Sequence, residues 1–232
     1  MEIRDFDVPR YLSVLPLFSD LSTAELEKVA TGCELHRLAR GDVIFRVGDP
    51  CEEFHVTVTG QIKLYVLSPN GQEKVIELIG PGGSFGEALM FTNKPYIING
   101  QALTQTLLLT VKKCAVIDEV ERDSRFAMRM LAGTSRRLHT LVRDVEAYAL
   151  QSGVQRVIGY LLRDRDEDDA PASDDITVTL PVSKATVASR LSLTPEYFSR
   201  VLHDLETAGL VFIDKRDVRI PDVRRLARYP DD

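Results

Sequence analysis

Thr194, Pro195, Glu196, Ser199 and Arg200 fall within seven residues, and all but the proline carry side-chain groups that hydrogen-bond to the edges of DNA bases. An arginine such as Arg200 can grip guanine O6 and N7 with both arms of its guanidinium. A carboxylate such as Glu196 can accept from cytosine N4, and a hydroxyl such as Ser199 can meet a base or a methyl group. Thr194 suits an N-cap and Pro195 the first helical position, where its missing N–H leaves nothing unpaired. A helix is therefore expected to open here, with Phe198, Val201, Leu202 and Leu205 facing inward and the polar set outward. Lys184 and Arg190 before it, and Lys215 and Arg216 after it, are placed for phosphates. Between residues 183 and 203 the bases Lys184, Arg190 and Arg200 face the single acid Glu196, a net of +2 inside a chain of net charge −6.

Elsewhere the sequence offers little catalytic chemistry. The glycine-rich stretch from Gly80 to Gly86 has Phe85 where a dinucleotide loop needs its third glycine, and no Lys-Ser/Thr follows to make a phosphate loop. There is no zinc-protease helix and no Cys-x-x-Cys. Glu52 and Glu53 are sequence neighbours, which in a strand point to opposite faces and cannot share a proton. No enzyme is expected.

The elements that must hold the base-reading residues can be followed back from them. Ser183 to Leu191 reads as a short helix with Ser183 as N-cap, followed by a tight break at Ser192 and Leu193 and then the helix from Thr194 to Gly209. Val211 to Ile213 and Val218 to Ile220 flank Asp214-Lys215-Arg216-Asp217 as a two-stranded wing. Helix, turn, helix, hairpin is the winged helix-turn-helix order. Upstream, Ile176 to Leu180 alternates as a strand, and Val154, Val157, Ile158, Leu161 and Leu162 recur at helical spacing. Between them, residues 164 to 175 carry seven acids and one base and read as a solvated loop.

Between Arg125 and Leu150, Ala127, Leu131, Thr134, Leu138, Leu141, Val145 and Tyr148 recur at steps of four and three. That is a coiled-coil seam, expected to form a homodimer interface through Leu131, Thr134, Leu138, Leu141, Val145 and Tyr148. A helix over 126–148 would run roughly 35 Å. Gly153 is expected to break it, leaving a hinge at Gln151-Ser152-Gly153. Residues 35 to 115 change character: short Val, Ile, Leu, Phe and Tyr runs are punctuated by glycines, as in a small antiparallel barrel or roll. Ser22 to Glu25 is a capping box opening a short helix near the start.

The 232 residues suggest more than one domain, with 44% hydrophobic and 28% charged residues in an ordinary globular balance. No run approaches a membrane span, and the acidic start Met1 to Asp7 is unlike a secretory signal. Cys33, Cys51 and Cys114, odd in number and widely spaced, suit free thiols in a cytoplasmic protein. The resulting expectation is an α+β chain in three parts. Residues 1–122 form a β-roll sensor domain, 123–150 a dimerisation helix and 151–232 a winged-helix domain.

That order, together with Gly41 to Phe45, Gly48, Gly60, Gly83 to Glu87, Arg136 to His139 and Leu193 to Leu202, resembles the CRP/FNR superfamily of bacterial transcription regulators. The resemblance covers nearly the whole chain and implies a cyclic-nucleotide-binding-like jelly roll at the N-terminus. It implies duplex DNA, a second copy of the chain, a small-molecule effector and RNA polymerase as partners, and no membrane. The Glu196-x-x-Ser199-Arg200 pattern is similar to the FNR-type recognition helix and implies a two-fold TTGAT–ATCAA-like operator. The cyclic-AMP branch would need an Arg where Ile97 or Ile98 stands; a buried phosphate would then lack its charged partner, so cyclic AMP is not expected. Glu87 then becomes structural, bonding backbone N–H groups of the glycine loop. The iron–sulfur branch needs clustered cysteines that are absent, and Cys51 and Cys114 are expected as buried thiols. Gly86 to Phe91, Pro95-Tyr96 and Gln101-Ala102 are similar to the Dnr-type branch, which implies haem-borne nitric oxide as effector. The expected effector pocket comprises Tyr65, Gly86, Glu87, Leu89, Met90, Phe91, Tyr96 and Ile97; the metal ligand is left open, with His36 or His55 as candidates only if haem binds. A ligand-binding module without specific DNA binding is the competing reading.

Overall fold

In the computed structural model, residues 6–15, 18, 21–162 and 175–229 are described, and they fall into two compact units. One comprises residues up to Gly71 with Val75–Thr140, the other Gln72–Lys74 with residues from Leu141 onward. The first five residues, and 164–174 of the acidic run, lie outside the described residues.

The first unit opens with α1 (Val8–Ser13) and α2 (Thr23–Ala30). The expected capping box forms: Ser22 N donates to Glu25 Oε2 at 2.7 Å, and Glu25 N donates to Ser22 Oγ at 3.4 Å. Strands β1 (Cys33–Leu38), β2 (Val43–Phe45), β3 (Glu53–Thr59), β4 (Ile62–Leu67), β5 (Glu73–Ile79) and β6 (Ser84–Phe85) follow. Then come α3 (Glu87–Thr92), β7 (Asn99–Ala102), β8 (Thr106–Lys112) and α4 (Lys113–Arg122). The strands form two four-stranded sheets, ordered β1-β8-β3-β6 and β2-β7-β4-β5. The β1–β8, β3–β8, β3–β6, β2–β7 and β4–β7 pairs are antiparallel, which gives the β-roll. Phe54, Ile62, Phe85 and Leu109 from the strands share one core with Leu12 and Phe126, so the helices on either side of the roll belong to its packing. Gly86 reaches φ 93° at the N-cap of α3, a conformation that a side chain would strain.

The long helix α5 (Ser124–Leu150) is longer at both ends than the periodic stretch required. The second unit takes its last turns, then α6 (Gly153–Leu162), β9 (Ile176–Thr179), α7 (Lys184–Arg190) and α8 (Pro195–Thr207). The hairpin β10 (Phe212–Asp214) and β11 (Asp217–Ile220) and a short α9 (Val223–Ala227) complete it. The wing has three strands rather than the expected two, because β9 pairs with β11 in the order β10-β11-β9. The α+β architecture of roll, long helix and winged helix-turn-helix is thus as the sequence suggests.

His55 shows how completely the roll is packed. It is 2% exposed, with Nδ1 at 3.2 Å from Thr110 Oγ1 and Nε2 at 3.2 Å from the Tyr96 hydroxyl. The Phe45 ring stacks on Tyr96 with centroids 3.7 Å apart and lies 5.7 Å from the His55 ring. Burial, helped by the charge of His36, holds the His55 pKa down to about 3. The unfolded chain therefore binds a proton near pH 6.5 that the folded chain refuses, so stability present above that pH is lost as pH falls towards 3. A His55→Gln variant should lack this loss: between pH 6.5 and 5 the parent should lose about 1–2 kcal/mol more than the variant in urea titrations. Parallel losses in both proteins would show that His55 is not held neutral.

Candidate nucleic-acid interface and effector cavity

The local chemistry of the helix-turn-helix is that of its caps. Ser183 Oγ accepts from Thr186 N at 3.2 Å to start α7, and Thr194 Oγ1 accepts from Tyr197 N at 3.2 Å to start α8, with Pro195 in the first turn. Between them Ser192 turns the chain at φ 57°, and Leu193 N donates to Ala188 O at 2.9 Å. Phe198, Val201, Leu202 and Leu205 are buried, so Thr194, Pro195, Glu196, Ser199, Arg200 and His203 are left exposed on the opposite side. Lys184 is half-buried at the start of α7, while Lys215 and Arg216 are exposed at the tip of the wing, Lys215 with φ 54°. Among the described residues this unit thus presents one helix end and one hairpin tip rich in base- and phosphate-binding groups.

Arg190 departs from its expected place. Its side chain is only 12% exposed, with Nη2 at 2.5 Å from Asp144 Oδ2 and Nη1 donating to the Tyr148 hydroxyl at 2.5 Å. That hydroxyl in turn donates to Arg190 O at 2.5 Å. Tyr148, which the heptad period assigns to the seam, is therefore engaged inside its own unit. Arg156 Nη1 donates to Leu191 O at 2.6 Å. The long helix ends at Leu150 and a new one opens at Gly153, where the break was expected, and Gly153 has a tertiary reason as well: a Cβ there would lie 2.3 Å from Cε1 of Tyr197. Of the remaining seam residues, Leu131, Leu138, Leu141 and Val145 are exposed, and Thr134 Oγ1 donates back to Met130 O at 3.0 Å.

In the first unit a cavity of about 440 Å³ opens between the roll and α5. Leu15, Phe18, Val56 and Met130 give it an apolar lining, and Ser84, Glu87, Arg129, Arg136 and Arg137 a polar one. Arg137 holds the site together. Its Nε lies 3.1 Å from Glu77 Oε1, its Nη1 3.0 Å from Glu87 Oε1, and its Nη2 donates to Ser84 O at 2.5 Å. Glu87 Oε1 also accepts from Ser84 Oγ at 2.9 Å, whereas Glu87 Oε2 is buried with no hydrogen-bond partner among the described residues. Glu87 is therefore bound to Arg137 and Ser84 side chains, not to backbone N–H groups of the glycine loop. The sequence pointed to Glu87 but not to Arg137, whose partners lie fifty and sixty residues away.

The other residues expected in an effector pocket do not gather there. Of the eight, Glu87 lines the cavity; Gly86 caps α3, Met90 and Tyr96 are core, Leu89 packs on the core, Tyr65 is half-buried under Lys63, and Phe91 and Ile97 are exposed. His36 is exposed on β1, 4.0 Å from Glu34. Cys51 is buried, with its thiol pKa raised by burial, and Cys33 is half-buried and pushed up to about 12 by the same cause. Cys114 is exposed, contrary to expectation, because it sits in the first turn of α4 at the surface.

A roll with a lined cavity and a winged helix-turn-helix define a DNA-binding regulator with a ligand-binding domain. Residues 35–123 match the cyclic nucleotide-binding domain, and residues 155–229 match the Crp-like helix-turn-helix domain. DNR from Pseudomonas aeruginosa is 33% identical, with 97% of this chain and 98% of that one covered and a TM-score of 0.51. FixK2 from Bradyrhizobium japonicum shares the fold with a TM-score of 0.73 at 24% identity, over 84% of this chain and 95% of that one. The global nitrogen regulator of Synechococcus elongatus is 26% identical over 90% of this chain and 92% of its own. The chain belongs to the CRP/FNR superfamily of transcription regulators, a family of regulators rather than enzymes. The similarities span differently named members and do not single out the Dnr-type branch. No helix among the described residues is long and apolar enough to cross a membrane.

Arg137→Met should leave Glu77 and Glu87 repelling one another without their shared cation. A loss of about 2 kcal/mol is expected in chemical denaturation, partly restored by adding Glu87→Gln. Strict additivity of the two changes would show that the guanidinium does not couple to Glu87.

Proposed function

We propose that the chain acts as a homodimer on a two-fold DNA site, reads it through α8, and is switched by a small effector in the cavity beside Glu87. The observation that carries this is the surface of α8, where a capped helix exposes Glu196, Ser199 and Arg200 opposite a buried apolar stripe. Lys184, Lys215 and Arg216 supply phosphate contacts, which fix register without reading sequence. The Glu-x-x-Ser-Arg pattern favours TTGAT–ATCAA-like half-sites, one helical turn apart for a two-fold dimer. The exposed apolar row Leu131, Leu138, Leu141 and Val145 on α5 supports the dimer, since water disfavours leaving such a stripe open and a second copy buries it at heptad spacing. RNA polymerase is the partner through which such a protein would change transcription.

The effector reading rests on the cavity and on Arg137. A ligand entering there meets the unpartnered Glu87 Oε2 and a guanidinium that ties α5 to β5 and α3, so binding can alter how α5 is held. A cyclic nucleotide is not the effector proposed: Ile97, Ile98 and Lys94 do not line the cavity, and Ile97 and Lys94 are exposed. Haem-borne nitric oxide, implied by the Dnr-type resemblance, does not fit the histidines. Both nitrogens of His55 are engaged in the core, and neither His36 nor His55 lines the cavity.

Two measurements test these readings. Arg200→Ala should cost about 1–3 kcal/mol on the matched duplex and relax base choice at one position. Equal binding of matched and scrambled duplexes by parent and variant would instead favour a ligand-binding module that does not read DNA. Anaerobic titration with haem should give no saturable Soret band; a stoichiometric band that shifts with nitric oxide and is lost in His36→Ala would reinstate haem.

A further inference from the structure

Arg190 lies next to the turn of the helix-turn-helix, where a cation is expected to meet DNA phosphate, yet both its Nη atoms are engaged within the protein. Asp144 and Tyr148 stand four residues apart and therefore on one face of α5, in its last two turns. Asp144 takes Arg190 Nη2, the Tyr148 oxygen takes Nη1, and the Tyr148 hydroxyl proton goes to Arg190 O, so side chain and backbone of one residue are held together. The pairing with Asp144 cancels the charge that a phosphate would need. Neighbouring contacts brace the same junction: Lys74 Nζ donates to Ser189 O and Arg190 O at 2.8 Å, Arg156 donates to Leu191 O, and Tyr197 of α8 fills the space left by the missing side chain of Gly153.

We propose that Arg190 is a positioning residue for DNA recognition: with Asp144 and Tyr148 it fixes the end of α7, and with it the start of α8, to the last turns of α5. Motion of α5 is then transmitted to the base-reading helix through this latch rather than absorbed at residues 151–153. The proposal rests on the DNA-binding reading above but concerns a residue that need not touch DNA. A charged, nearly buried, two-point attachment is stiff in direction as well as strong, because the planar guanidinium fixes the angle of both its partners.

The test uses the full chain and compares Asp144→Asn, Arg190→Met and the double variant on a matched and a scrambled duplex across a range of salt concentrations. If the latch positions α8, each single change weakens matched binding by about tenfold, as expected for a charge-assisted hydrogen bond. The double is then no weaker than either single, and the slope of log affinity against log salt is that of the parent. If Arg190 instead meets phosphate, Arg190→Met weakens both duplexes alike and reduces that slope by about one. Asp144→Asn then tightens binding by freeing a cation, and the proposal is overturned. Hydrogen exchange without DNA provides a separate reading: the amides of Leu191 and Leu193 should exchange faster in all three variants, and unchanged exchange also overturns it. Should the parent bind neither duplex, the DNA-binding reading fails, and exchange alone decides the latch. Tyr148→Phe, which removes a single hydroxyl, serves where Arg190→Met does not fold, with the same expected loss of matched affinity and faster exchange.

Discussion

Four apolar side chains decide what the second unit can touch. Phe198, Val201, Leu202 and Leu205 must leave water, and in a helix their spacing allows only one orientation of α8 on its neighbours. Once that stripe is down, Glu196, Ser199 and Arg200 face solvent whatever else happens. The caps then set where the helix starts, and so which turn of it leads. Base-reading potential is in this sense a by-product of hydrophobic burial: the polar residues are positioned by the apolar ones beneath them.

The first unit treats charge in the opposite manner. It gathers ionic groups against an apolar lining and neutralises them internally, with Arg137 between Glu77 and Glu87. A glutamate at the mouth of a glycine loop, without the arginine that a cyclic phosphate would require nearby in sequence, is held here by a cation from the long helix. The same carboxylate is thus kept, but its counter-charge comes from an element that can also carry a change of state. Such an ion set is a weak source of net stability and a strong source of geometry, since removing one member leaves the others stranded.

The parts of this structure that could be read from the sequence are those whose causes are local. Ser22 with Glu25, Thr194 with Pro195, and the apolar spacing of α8 each act within a few residues, and each is formed as expected. What the sequence did not show was decided by distant contacts. Nothing near Arg190 in sequence announced its bonds to Asp144 and Tyr148, which lie more than forty residues upstream. The bonds of Tyr148 to Arg190 were equally hidden, because heptad spacing says nothing of what a ring meets within its own unit. The addition of β9 to the wing followed the same rule, since strand pairing depends on the register of a partner and not on alternation alone. The effector residues scattered for a related reason: a stretch that resembles a pocket in sequence was divided by α3 between core and surface.

The contact between Gly153 and Tyr197 also constrains how this sequence could drift. No residue with a Cβ fits at 153 while the Tyr197 ring stands 2.3 Å from where that carbon would be. The atoms in the way are the far end of a side chain, so position 153 can grow only as the ring at 197 turns aside or is lost, and the two positions are coupled. Tyr197 stands in the chain between Glu196 and Ser199, so any change at 197 that makes room at 153 is made beside the residues that α8 exposes.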